Sequence, residues 1–306
     1  MKMKKTLRLL FGLAIIALLF WQIGVNDILS SLADLNASYL PVMIIIYLLI
    51  IFLGSMNVLV LLSPLKKRVR IADLVRMYAQ TWAISSFMPG RLGDFSLAYF
   101  LKDKGVSVGE STSLVIVDKM LSVFVVFSLA IIAALRYSSG QSALIVAGTL
   151  ITCIAGAIVI INSKPARHMV KKYILRKHST LFKGFHKSFT TYRKRRGVLL
   201  VNAGLTLLRT CLATILIITI FHALGTSINF LDTLLINAVV MMVRLIPITL
   251  NGLGTMEASS VYLFGQVLGV PAGIVAGYAA VNLLLKYGLA LCIFFFAGKR
   301  DKIKNS

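Results

Sequence analysis

Six apolar runs, each close to the length of a membrane crossing, leave this chain few folds to choose from. They lie near Leu7–Ile23, Tyr39–Leu62, Leu114–Leu135, Ala143–Ile161, Val198–Leu224 and Val275–Ala297. A helix needs roughly 20 predominantly apolar residues to cross the hydrocarbon core. The overall hydrophobic content of 58% also lies above the roughly 45–50% of soluble domains. The expected fold is an all-α polytopic membrane protein, one integral membrane domain over residues 1–306. The basic start and apolar run at the N-terminus have no small-x-small cleavage site after Phe20, so the first run reads as a retained helix.

A net charge of +23 would ordinarily raise nucleic acid as a partner. No stretch here is long and polar enough to form a folded basic domain, so nucleic acid is not expected. The basic residues instead cluster between apolar runs. Lys2, Lys4, Lys5 and Arg8 stand at the first run, and Lys66, Lys67, Arg68 and Arg70 follow the second. Twelve Lys or Arg and no acid occupy Lys164–Arg196, and Lys299, Arg300, Lys302 and Lys304 follow the last run. The positive-inside rule places all of these in the cytoplasm. The chain meets that condition only if residues 71–104 enter and leave the membrane from the cytoplasmic side. Residues 230–268 must then do the same from the opposite side.

Each of these two expected hairpins carries a Pro, glycines and a carboxylate. The first reads Pro89-Gly90-Arg91-Leu92-Gly93-Asp94. The second runs from Pro247 through Asn251, Gly252 and Gly254 to Glu257, with Arg244 just before it. Pro and Gly interrupt helices, and a carboxylate in hydrocarbon is costly, so such breaks survive where they are packed or line a watery cavity. Paired interrupted segments in two halves of a chain mark a transporter's substrate site. About six full transmembrane helices plus two inverted re-entrant hairpins are therefore expected.

Asp94, Asp118 and Glu257 are the acids expected at membrane depth, with Arg76, Arg91, Lys119, Arg209, Arg244 and Lys286 as the cations. A central charge costs about 2.5–3.5 kcal/mol, so the set should pair or face water. Asp118 and Lys119 are sequence neighbours about 100° apart on a helix, and each is expected to find a partner elsewhere. Cations exceed acids, which suits an anionic substrate group. Half-helix N-termini after Gly93 and Gly254 would add backbone N–H groups toward it. The plainer use of these charges is as ion pairs that set helix register. Asp94 and Glu257 have a plainer use too, as helix caps. Pro89, Gly90, Gly93, Pro247, Gly252 and Gly254 are expected to serve as structural turns whatever the function.

Within the basic loop 164–196, Phe182, Phe185, Phe189 and Tyr192 recur on one helical face, as in an amphipathic helix lying in the headgroup layer. His168, His178 and His186 lack metal-ligand spacing, and Cys153, Cys211 and Cys292 lie apart in apolar runs, so neither metal nor disulfide is expected. No nucleotide-binding or hydrolytic motif occurs, so neither a cofactor nor catalytic residues are expected and the protein is not read as an enzyme.

The first motif, followed by Leu101 and by Asp118-Lys119-Met120, resembles the lysylphosphatidylglycerol synthase transmembrane (flippase-like) family. So does the second, followed by Gly269-Val270 and Lys286. The family's usual first motif is P-G-R-x-G-E with a later E-R, where this chain has Asp94 and Asp118-Lys119. Its usual second motif is closer to P-G-G-x-G-x-x-E, and here Ile248-Thr249-Leu250-Asn251 intervene. The resemblance implies a stand-alone member without the synthase domain, moving a lipid between leaflets of the cell membrane. Together with the charge excess it points to an anionic phospholipid or lipid-linked phosphate as substrate. The substrate-binding set would be Arg76, Arg91, Asp94, Asp118, Lys119, Arg209, Arg244, Asn251, Glu257 and Lys286. Two other readings stay open here. One is a non-transporting scaffold for a lipid- or glycan-modifying membrane enzyme, and the other is a membrane-embedded glycosyltransferase.

Overall fold

The computed structural model describes residues 29–30, 32–88, 93–137, 148, 185–244 and 252–303. The protein is all-helical, and no strand occurs among the described residues. The helices are α1 (Leu40–Leu62), α2 (Ile71–Phe87), α3 (Ser96–Lys102), α4 (Val108–Tyr137), α5 (Phe185–Lys194), α6 (Arg196–Ala223), α7 (Phe230–Val243), α8 (Thr255–Leu268) and α9 (Ala272–Ile303).

Four described helices are long and apolar enough to cross a membrane: α1 with its flanking turns, α4, α6 and α9. They correspond to four of the six expected runs. The run near Leu7–Ile23 and, apart from Gly148, the run near Ala143–Ile161 lie outside the described residues, as do Pro89, Gly90, Arg91, Pro247 and Asn251. The lipid-facing side of α1 is plain, since Val42, Ile45, Leu48, Leu49 and Phe52 are exposed while Met43, Ile46, Tyr47 and Ile51 are buried.

Local chemistry fixes the helix ends. Asn36 Oδ1 accepts the Ser38 N–H ahead of α1, and Pro41 sits in its first turn. Helix α2 stops at Met88, whose extended backbone (φ −105°, ψ 139°) is what a residue ahead of a proline adopts. Helix α4 starts six residues before the expected run, because Ser107 and Glu110 form a reciprocal capping box. Asn229 caps α7 through the N–H groups of Leu231 and Asp232. Gly225 and Gly269, both at positive φ, close α6 and α8, and the N–H groups of the next residues, Thr226 and Val270, bond back to the Phe221 and Phe264 carbonyls.

Both expected hairpins are helix–break–helix units, but they are unequal. The first joins the 17 residues of α2 to the 7 of α3, and the second joins two helices of 14. Helices α1 and α6 pack along a polar seam: Asn57 Nδ2 donates to Thr206 Oγ1 at 3.0 Å, and Asn202 Nδ2 to the Asn57 carbonyl at 3.2 Å. Buried amides of this kind fix register, because a slip would leave them unpaired.

The ends of the bundle are tied differently. At one end Lys104 pairs with Asp73 at 2.7 Å, and the buried Tyr192 of α5 donates to the Leu61 carbonyl at 2.8 Å. The latter bond docks α5 on the protein, beyond the interfacial anchoring expected from its aromatic spacing. At the other end Arg136 pairs with Asp232 at 3.1 Å, and the Tyr137 hydroxyl donates to the same carboxylate. Phe221 of α6 stacks on Tyr278 of α9 (4.9 Å) and tilts against Phe264 of α8 (5.3 Å). The Asn36 N–H meets the Ala223 carbonyl at 2.8 Å, which places the start of α1 at this Arg136 end too.

Candidate functional site

Between these two ends, α1, α2, α4, α6, α7, α8 and α9 enclose a cavity of about 230 Å³. Its lining gathers the flanks of both helix breaks: Ser85, Ser86 and Asp94 from the first, Arg244, Met256 and Glu257 from the second. Ligand pockets for drug-sized molecules run from about 300 to 1,000 Å³, so this one is of a size for a small polar group rather than a whole lipid.

The expected charges fall into two groups on its wall. Asp94 accepts from the Ser85 hydroxyl and pairs with Lys119 Nζ at 2.9 Å, while Lys119 also reaches back to Asp118 at 3.4 Å. The sequence neighbours thus share a contact that helix geometry alone did not lead us to expect, because the long lysine side chain folds between the two carboxylates. Asp118 is buried behind Lys119 and does not line the cavity. Arg209 donates to the Tyr78 hydroxyl at 3.0 Å and lies within electrostatic reach of Asp118 and Asp94.

In the second group, Glu257 Oε2 accepts the Gly254 N–H at 2.6 Å and lies near Lys286 and Arg244. Glu257 is therefore a helix cap as well as a cavity residue. The Gly254 N–H, expected to face a substrate anion, is taken by the protein's own carboxylate. Lys286 also stands over the Tyr287 ring at 5.0 Å.

Four cations and two carboxylates line the cavity: Lys119, Arg209, Arg244 and Lys286 against Asp94 and Glu257. Even with Asp118 counted behind Lys119, positive charge is in excess. Arg76 stands apart from the lining, with its Nη2 buried and unbonded. Arg91 and Asn251 lie outside the described residues.

Sequence reasoning passed over several contributors. Tyr47 donates to Asn282 Oδ1 at 2.7 Å, and Trp82 packs edge-on to Tyr47. Asn202, Thr206, Thr210 and Thr214 form a buried four-residue repeat on α6, two members of which line the cavity. That repeat inside an apolar run was a readable signal. A Cβ on Gly54 would sit 2.2 Å from the Tyr78 ring, so Gly54 makes the room in which Tyr78 holds Arg209.

The sequence pattern of the lysylphosphatidylglycerol synthase TM region family matches residues 6–293, which takes in every lining residue. The chain belongs to this family. No curated protein matches it. As a member of the lysylphosphatidylglycerol synthase TM region family with four apolar helices of crossing length among its described residues, it is a multi-pass membrane protein of lipid-related function.

Proposed function

We propose that this protein translocates an anionic phospholipid, or a lipid-linked phosphate, between leaflets of the cell membrane. The observation that carries the reading is the cavity itself. Flanks of the two helix breaks meet around an interior with excess positive charge and space for a small polar group. Arg209, Arg244 and Lys286 would hold the phosphate, with Arg91 as a further donor from the first break. Asp94 and Glu257 keep the neighbouring helices in register around them. Acyl chains would stay in the bilayer, so only the polar group is desolvated in transit. The reaction needs no covalent step and no cofactor. Both termini would lie in the cytoplasm with the basic clusters, and membrane lipids would be the partners.

Leaflet exchange in proteoliposomes, read with fluorescent anionic and zwitterionic lipids, tests this. Wild-type protein should exchange the anionic lipid faster, and Arg244→Glu should slow anionic exchange at least tenfold while slowing zwitterionic exchange less. Equal loss for both lipid classes, or faster zwitterionic exchange by the wild type, rejects the anion site. No exchange of any lipid by a well-inserted protein would instead favour a scaffold for a membrane enzyme.

A further inference from the structure

On the cavity wall, two buried polar atoms have no hydrogen-bond partner among the described residues. Asn237 of α7 is 6% exposed and its Nδ2 is unbonded; Ser122 of α4 is 7% exposed and its Oγ is unbonded. Both line the cavity, and their helices pack against each other. An unsatisfied buried donor is unfavourable, and natural interiors rarely keep one without a ligand or water to meet it.

Their height in the bundle is informative. Ser122 lies one turn from Lys119 toward the Arg136 end of α4, about 4.5 Å along the axis. Asn237 lies two turns from Arg244, about 10 Å, in the direction of Asp232, which is tied to that same end. On α9, Asn282 and then Tyr278 follow Lys286 toward the end marked by the Phe221–Tyr278 stack. Tyr47, bonded to Asn282, sits on the half of α1 nearer the same end. The cavity is thus layered. Charges occupy one level, and neutral amides and hydroxyls occupy the next. Both lining carboxylates belong to the charged level, where Asp94 is held by Lys119 and Glu257 by the Gly254 N–H. The described lining of the neutral level has no carboxylate, so an ammonium group placed there would have no charged partner.

We infer that the neutral level is a subsite for the uncharged, oxygen-bearing end of the headgroup. Asn237 Nδ2 donates to a hydroxyl oxygen there, and Ser122 exchanges a hydrogen bond with it, while the phosphodiester rests among the cations. The inference builds on the anionic-lipid reading and narrows it to phosphodiester lipids ending in a hydroxylated group, against amines and plain alkyl esters.

Trp82 lines the cavity and, with Trp21→Phe as background, becomes the single fluorescent reporter. The full chain in detergent is titrated with short-chain phosphatidylglycerol, phosphatidylethanol, phosphatidylethanolamine and glycerophosphoglycerol. The first two carry the same charge and differ in hydroxyl groups. Phosphatidylglycerol should bind about three- to tenfold tighter than phosphatidylethanol, the worth of a neutral hydrogen bond. Asn237→Leu should erase that ratio and leave phosphatidylethanol binding unchanged. Ser122→Ala, a one-atom deletion, should narrow it and serves if the leucine variant does not fold. Equal affinity of the two anionic lipids in the wild type, or equal weakening of both by the variants, overturns the subsite and indicates that water fills the neutral level. Phosphatidylethanolamine binding as tightly as phosphatidylethanol would defeat the anion reading itself. Saturation by glycerophosphoglycerol at the lipid's concentration would overturn the lipid assignment in favour of a soluble ester.

Discussion

The two helix breaks use the same residue types and solve the turn in different ways. At the first, the glycine serves close approach. A Cβ on Gly93 would lie 2.5 Å from Ser85 Cα and 2.6 Å from its backbone nitrogen. The carboxylate there, Asp94, is held by side chains of two other helices. At the second, Gly252 and Gly254 supply positive φ (81° and 84°), and Glu257 bonds to the N–H at the start of its own helix. The first break is thus a tertiary structure and the second a local one. Tertiary contacts fail when any partner is altered, whereas a local cap depends on a few adjacent residues.

The largest expected difference follows from the glycines. Gly93→Ala drives a methyl group into backbone atoms that cannot swing aside, so it should cost about 3 kcal/mol or prevent accumulation. Gly254→Ala puts a side chain at positive φ, a backbone strain of about 2 kcal/mol. Thermal unfolding of the detergent-solubilised variants measures both. Equal shifts, or a milder Gly93 variant, would break the distinction between tertiary and local turns.

The carboxylates sharpen the same contrast at smaller scale. Lys119→Met leaves Asp94 and Asp118 without their shared cation. Lys119 and Asp94 keep 30% and 16% side-chain exposure, so the cost should be about 2 kcal/mol, below that of a fully buried pair. Adding Asp94→Asn should recover a large part of it, since neutralising one of the two carboxylates abolishes their mutual repulsion. Glu257→Gln keeps an acceptor for the Gly254 N–H and should cost under about 1 kcal/mol. Unfolding midpoints of the single and double variants give the coupling; an Asp94→Asn change that recovers nothing would count against the tertiary ion pair.

The legibility of the sequence divides along the same line. Crossing helices α1, α4, α6 and α9 were readable because lipid demands long apolar runs, which need no knowledge of neighbours. The helix breaks were readable from Pro89 and from the glycine-rich second motif, and the pairing of carboxylates with cations from their cost in hydrocarbon. What stayed hidden depends on which helix faces which. Gly54 and Tyr78 look like ordinary span residues until packing brings Tyr78 to Arg209. Asn237 and Ser122 carry no local pattern that marks them as cavity residues. Arg76 illustrates the opposite error: its charge made it a site candidate, but its position on α2 keeps it off the cavity wall.

The smallest expected effect concerns the ties at the base of each unit. Asp73 and Lys104 join the start of α2 to the turn after α3, with 40% and 37% of their side chains exposed. Exposed pairs contribute about 0.2–1 kcal/mol and are screened over a Debye length of about 8–10 Å at ordinary salt. Asp73→Asn should therefore lower stability by no more than about 0.5 kcal/mol, and the loss should vanish in high salt. Asp232, which ties the second unit to α4, is only 18% exposed and accepts from the Tyr137 hydroxyl as well as from Arg136. A hydrogen bond from an uncharged hydroxyl to a carboxylate is much less sensitive to ionic strength than an ion pair, and part of this tie should survive screening. Asp232→Ala removes the acceptor for Tyr137 together with the charge and should cost about 1 kcal/mol, most of it persisting when salt is raised, in unfolding scans run at low and high ionic strength. If both losses disappear together in salt, the Tyr137 bond contributes nothing and the two ties are equivalent. If only the Asp73 loss disappears, the second unit is the more firmly seated of the two against its neighbouring helix, despite its locally determined turn.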